Sequence, residues 1–152
     1  MSSGTVVHLH VAKGARLPMR EVETVEVETA AGILGDRYHG SRHRQVSVQS
    51  LDALAEAAGA FGSPIDPALT RRNITVSGLD VPRQPGAIIR IGDVVLEVVR
   101  VAAPCKLLDD TIGRGAQAAL RGRGGSIARV LRGGTVSRDA VVTLPPADLR
   151  LD

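Results

Sequence analysis

Ile88-Ile89-Arg90-Ile91-Gly92-Asp93-Val94-Val95-Leu96-Glu97-Val98-Val99-Arg100-Val101 is the stretch on which the fold turns. Two β-branched runs flank Gly92-Asp93, a pair suited to a two-residue turn, so the segment reads as a hairpin. Its second arm, Val94 to Val101, is apolar on both faces and belongs at the centre of a sheet. That arm runs directly into Pro104-Cys105, which sets the one cysteine of the chain just past a strand end.

Outward from this hairpin the pattern stays rich in strands. Thr5 to Val11 alternates, and Val25 and Val27 alternate with Glu26 and Glu28, the period of half-buried strands. Gly32 to Gly40 is dense in glycine and charge and reads as a loop, with a strand resuming near Arg44 to Val48. Ser50 is placed to cap a helix whose apolar stripe is Leu51, Leu54, Ala55 and Ala58, ending near Gly59. Asp66-Pro67 starts a short turn or helix, and Asn73 leads into a strand over Ile74 to Val76. Downstream, Ala116 to Leu120 reads as a short helix. Ile127 to Leu131, Gly133-Gly134 and Thr135 to Leu144 read as a second hairpin. Seven or so strands joined by hairpins and loops, with two short helices, predict a mainly β fold. A barrel or strongly curved sheet suits this order better than a doubly wound α/β sheet. With 152 residues, no internal repeat and no linker, a single domain over 1–152 is expected, its core about 5–144 and its loose tail 145–152.

A lone cysteine cannot form an intramolecular disulfide. Together with an N-terminus unlike a signal peptide and no apolar run of about eighteen residues, this predicts a cytoplasmic protein without membrane contact. The formal charge is +3, and the cations are arginines apart from Lys13 and Lys106. Arginine forks suit phosphate and carboxylate, although arginine richness is also a common bias of composition. Tyr38 and Phe61 are the only aromatics. Platforms for stacking unpaired bases are therefore lacking, and nucleic acid is not an expected partner.

Several short motifs have the residue types of a site. Cys105, beside a proline that cannot extend a sheet, is either an accessible thiol at a sheet edge or a small buried hydrophobe. Gly32-Ile33-Leu34-Gly35-Asp36-Arg37 sets an acid and a base after a tight bend. It suits an anion approached by backbone, or equally an ordinary polar turn. Arg71-Arg72-Asn73 joins two guanidinium groups to an amide, a set for a phosphate beside a heterocycle edge or an exposed strand entrance. Arg121-Gly122-Arg123-Gly124-Gly125 reads as a flexible basic loop. Gly113-Arg114-Gly115-Ala116-Gln117-Ala118 fits the loose dinucleotide pattern but has no strand directly before it, so it reads as a helix start. His8 with His10, and His39 with His43, lack the further ligands of a closed zinc site and read as ordinary polar side chains.

Taken in order, Gly-Ile-Leu-Gly-Asp-Arg at 32–37, Arg-Arg-Asn-Ile at 71–74, Ile-Gly-Asp at 91–93, Pro-Cys at 104–105 and the glycine-rich stretch into Ala128-Arg129-Val130 resemble the MOSC domain. That family is named for the C-terminal part of molybdenum-cofactor sulfurase, and the likeness spans roughly Thr5 to Leu144. It implies a β-barrel with a cleft, in which the cysteine matched by Cys105 binds molybdenum or carries a persulfide sulfur. It also implies that Arg37, Arg72 and Asn73 hold the pterin and its phosphate, with Asp36 as organiser. Thiolate is a soft ligand for molybdenum and arginines suit a phosphate, so residue chemistry and resemblance agree. The pyridoxal phosphate of the sulfurase belongs to another domain and is not expected here. Tyr38 stands where many relatives carry histidine. The chain also lacks the N-terminal β domain of amidoxime-reducing enzymes and any iron-sulfur cysteine set.

Three functions follow. One is a molybdopterin-binding protein with Cys105 on the metal, serving a reductase of N-hydroxylated compounds through an electron-transfer partner. Another is a persulfide carrier on Cys105 in metal-sulfur or molybdenum cofactor assembly, loaded by a cofactor or sulfur donor protein. The last is a module that binds anions or nucleic acid without chemistry. The first two, an oxidoreductase or a sulfur transferase working with partners, need the same accessible thiolate.

Overall fold

A computed structural model describes residues 2–146, so most of the expected tail, from residue 147 on, lies outside the described residues. The strands are β1 (Ser2–Val11), β2 (Arg20–Glu21), β3 (Thr24–Glu28), β4 (Gly32–Ile33), β5 (Val46–Ser50), β6 (Ile74–Ser77), β7 (Ile88–Ile91), β8 (Val94–Val101), β9 (Ser126–Arg132), β10 (Gly134–Ser137) and β11 (Val141–Leu144). Three short helices, α1 (Leu51–Phe61), α2 (Leu107–Thr111) and α3 (Ala116–Ala119), and a 3-10 turn over Pro67–Leu69 complete the order.

Seven strands form a barrel in the order β11-β7-β8-β9-β5-β6-β1, closed by pairing of β1 with β11. The hairpin of β7 and β8 forms as its sequence predicts, with Ile91 opposite Val94. Central placement of β8 also holds, between β7 and β9. Pairs in the barrel are antiparallel except β5 with β6, whose connection carries α1. Leu9, Ile74, Ile89, Ile91 and Leu96 are essentially inaccessible and fill the interior. A second cluster, built on Leu54, Ala57, Leu108 and Leu120, packs the helices together. No helix among the described residues is long and apolar enough to cross a membrane.

Four expectations change. Ser50 caps α1 through its Oγ as expected, but the helix passes through Gly59 and ends at Gly62, whose φ of 93° is the left-handed cap. Its buried face is Leu54 and Ala57, with Ala55 exposed. Helix α2 was not foreseen. The second hairpin does not exist: β9 pairs with β5 and β8, whereas β10 leaves the barrel to pair with β3. Glycine permits the departure, because any side chain at Gly133 would collide with the Val27 carbonyl. Strands β10, β3 and β4 make a small separate sheet in which β3 keeps its predicted alternation of buried Val25 and Val27.

Candidate functional site

The loop after β4 is anchored by Asp36, whose side chain is fully buried. Its Oδ1 accepts from the backbone N–H of Ala12, at the end of β1, and its Oδ2 accepts from the N–H of Tyr38. Arg37 pairs with Asp36 at 3.3 Å and donates to the carbonyl of Arg71 at 3.2 Å and to the Met19 sulfur at 3.3 Å. The turn expected as a possible ordinary polar bend is thus a clamp joining β1, the β4 loop and the approach to β6. Two guanidinium groups lie over the Tyr38 ring, Arg37 at 4.5 Å and Arg44 at 4.4 Å from its centre.

Arg71 and Arg72 diverge. Arg71 has a φ of 66°, an unusual left-handed conformation for a large side chain, and donates to the Leu17 carbonyl at 2.7 Å. Arg72 is buried and donates to the Gly124 carbonyl at 2.9 Å and the Ala102 carbonyl at 3.3 Å. It thereby ties the entrance of β6 to the segment that ends in Cys105. Asn73 accepts from the N–H and hydroxyl of Ser47 and donates to the His10 carbonyl, which locks β5, β6 and β1 together. Asp36 and Asn73 thus spend their described hydrogen bonds within the protein.

Cys105 is exposed in the loop between β8 and α2, so the buried-hydrophobe alternative does not hold. Arg71 and Arg72 are close enough to feel its charge. Burial, then the charge of Arg44, pulls the Arg72 guanidinium down to about 10, while the charge of a Cys105 thiolate opposes the fall. Burial and then Arg37 lower Arg71, against Tyr38, Asp36 and Cys105. Arg44 Nε and Arg71 Nη2 are buried without any hydrogen-bond partner. Four guanidinium groups, a single carboxylate and two unspent donors make a site with capacity for an anion.

Hydrogen bonds join Asp36 to Arg37 and Arg37 to Arg71, and charge interactions link Arg71 and Arg72 with Cys105 and Arg72 with Arg44, while Asn73 turns to Ser47 and His10. Arg44 could have been noticed as the cation two residues before β5; its stacking on Tyr38 has no sequence signal. The basic loop 121–125 meets the site through its backbone, the Gly124 carbonyl accepting from Arg72, whereas its Arg123 side chain donates to the Ala119 carbonyl and lies 3.7 Å from Glu56. It is a tight turn, since Gly125 (φ 85°) presses against the Val48 backbone. Gly115 begins α3 with α2 before it, as expected for a helix start. His39 lies 3.5 Å from Glu28. His8 and His10 both approach Glu21 on β2; burial foremost holds the His10 imidazole below its ordinary pKa, and the hydrogen bond from His8 lowers Glu21.

A family model described as the MOSC domain matches residues 35–143. Among solved structures, the YuaD protein from Bacillus subtilis superposes with a TM-score of 0.83 at 19% identity, over 92% of this chain and 94% of that one. YiiM from Escherichia coli gives 0.71 at 23% identity, over 95% and 70%. YiiM from Geobacillus stearothermophilus gives 0.75 at 19%, over 96% and 77%. Among curated proteins no relative is found.

Proposed function

The chain belongs to the MOSC domain family, and from that premise we propose that its arginine cluster holds the phosphate of a molybdopterin-type cofactor while Cys105 supplies a ligand to the metal. The observation that carries this reading is the pair of buried, unpartnered donors, Arg44 Nε and Arg71 Nη2, in the neighbourhood of an exposed thiol. Leaving such donors unpaired costs about 1–3 kcal/mol each, which an anion would recover. The residues present therefore fit the group.

In this arrangement Arg71 and Arg44 donate to the phosphate, with Arg37 and Arg72 adding positive charge. Asp36 and Asn73 act by holding these arginines and the strands beneath them in place. Tyr38, with the Arg37 and Arg44 guanidinium groups over its ring, helps hold both in position. The sulfur of Cys105, as thiolate, is the soft donor. When bound, the cofactor supplies two-electron redox chemistry, for which electrons would come from a partner protein. Reduction of N-hydroxylated compounds is the activity this reading favours.

Exposure of Cys105 favours a second reading, a sulfur carrier. Its thiolate would attack the outer sulfur of a donor persulfide, keep that sulfur and release the donor thiolate. Both are tested by producing wild type, Cys105→Ala and Arg71→Ala in a host that makes molybdenum cofactor, then measuring molybdenum and the fluorescent pterin released by oxidation. Near-stoichiometric metal and pterin are expected in wild type, with metal lost in Cys105→Ala and pterin reduced in Arg71→Ala. Wild type carrying neither, but gaining the mass of one sulfur on Cys105, would replace the first reading by the second.

A further inference from the structure

His8 and His10 stand two residues apart on β1, with ring centres 5.9 Å apart. Strand β2 pairs with the same stretch so that Glu21 lies opposite His10. Its carboxylate reaches both rings, Oε2 at 2.8 Å from His8 Nδ1 and Oε1 at 3.8 Å from His10 Nε2. His10 is 1% exposed, yet neither of its ring nitrogens has a hydrogen-bond partner. A buried imidazole with both nitrogens idle calls for a partner that the protein itself does not provide. The third ligand, which the spacing of the histidines could not supply, comes from strand pairing.

We propose that His8, His10 and Glu21 bind a divalent first-row transition ion of the zinc class. Two imidazoles and a carboxylate are the donors such ions take, with a solvent position left open. With bonds of about 2.0–2.1 Å, neighbouring donors of a tetrahedral ion stand about 3.4 Å apart. The two distances from Glu21 fall on either side of that edge. As the side chains stand, no three His, Cys, Asp or Glu among the described residues are arranged to hold a metal ion, so binding requires side-chain movement. His8 and Glu21, with side chains 31% and 43% exposed, have the freedom to turn inward onto a fixed His10. The cluster contains no cysteine and shares β1 with the clamp: the His10 carbonyl accepts from Asn73, and Ala12 donates to Asp36.

The test is titration of chelator-treated protein with zinc, in competition with a chromophoric chelator, and with cobalt(II) for its visible ligand-field bands. Wild type should bind one equivalent of zinc. His8→Ala and Glu21→Gln, both at exposed positions, should each weaken binding at least tenfold while retaining the wild-type circular dichroism spectrum, and Cys105→Ala should bind as wild type does. Less than one equivalent in wild type at tens of micromolar zinc overturns the proposal. So does unchanged affinity in either the His8 or the Glu21 variant, or loss of the zinc with Cys105→Ala, which would assign the ion to the thiol instead.

Discussion

Arg72 is a charged side chain that the fold buries for the sake of two carbonyls, Gly124 and Ala102. Removing it strands both acceptors away from water, so Arg72→Ala should lower stability by about 2–4 kcal/mol in urea denaturation. Arg72→Lys should recover only part of this, because an ammonium cannot reproduce the planar fork. A loss under about 1 kcal/mol for the alanine variant would show that water replaces the guanidinium at no great cost. The sequence made Arg72 visible as part of an ordered motif, together with Asp36, Arg37, Asn73 and Cys105. It could not divide their labour: that Asn73 faces the Ser47 and His10 backbone follows from strand register, which no spacing encodes. Glu21 was missed for the same reason, since it meets His10 only through the pairing of β2 with β1, whereas Arg44 was missed because it reaches Tyr38 through the fold of their shared loop.

Glycines at element ends divide into two kinds. Gly62, with φ of 93°, caps α1 with open space around it, whereas Gly125, with φ of 85°, lies against the carbonyl of Val48. Alanine at Gly62 should cost about 1–2 kcal/mol, the penalty of a left-handed backbone alone. At Gly125 it must also push β5 from β9, so the loss should be clearly larger, and thermal melts of the two variants compare them directly. Equal losses would mean that the 121–125 turn yields freely. The same contrast explains which elements were legible. The β7–β8 hairpin is local, with turn and flanking runs contiguous, and its pattern sufficed. Gly133-Gly134 looked like another turn because the feature that decides it, close packing against Val27, is distant in sequence. Helix α2 is only five residues long and has no side-chain cap, so it left little to read.

Barrel closure belongs to the molecule as a whole. Ser2 to Thr5 of β1 pair with Leu144 to Val141 of β11, and the remainder of β1 pairs with β6 and β2. Deleting residues 1–5 should leave β11 with a bare edge, lower the denaturation midpoint and produce association that grows with concentration in size-exclusion chromatography. A truncated protein that stays monomeric with an unchanged midpoint would show that closure adds little. The barrel itself was legible from the count and spacing of strands, but its closing pair was not, since alternation in β1 and β11 is blind to partner choice.

The two strands that complete the ring are synthesised far apart in time, β1 well before β11. At roughly 5–20 residues per second, residues 2–5 wait on the order of ten seconds for Val141–Leu144 to be made. Throughout that interval residues 2–5 of β1 lack the strand they close against. Closure thus waits on the far end of the barrel segment, and until β11 exists the start of β1 is an edge that any passing strand could cover.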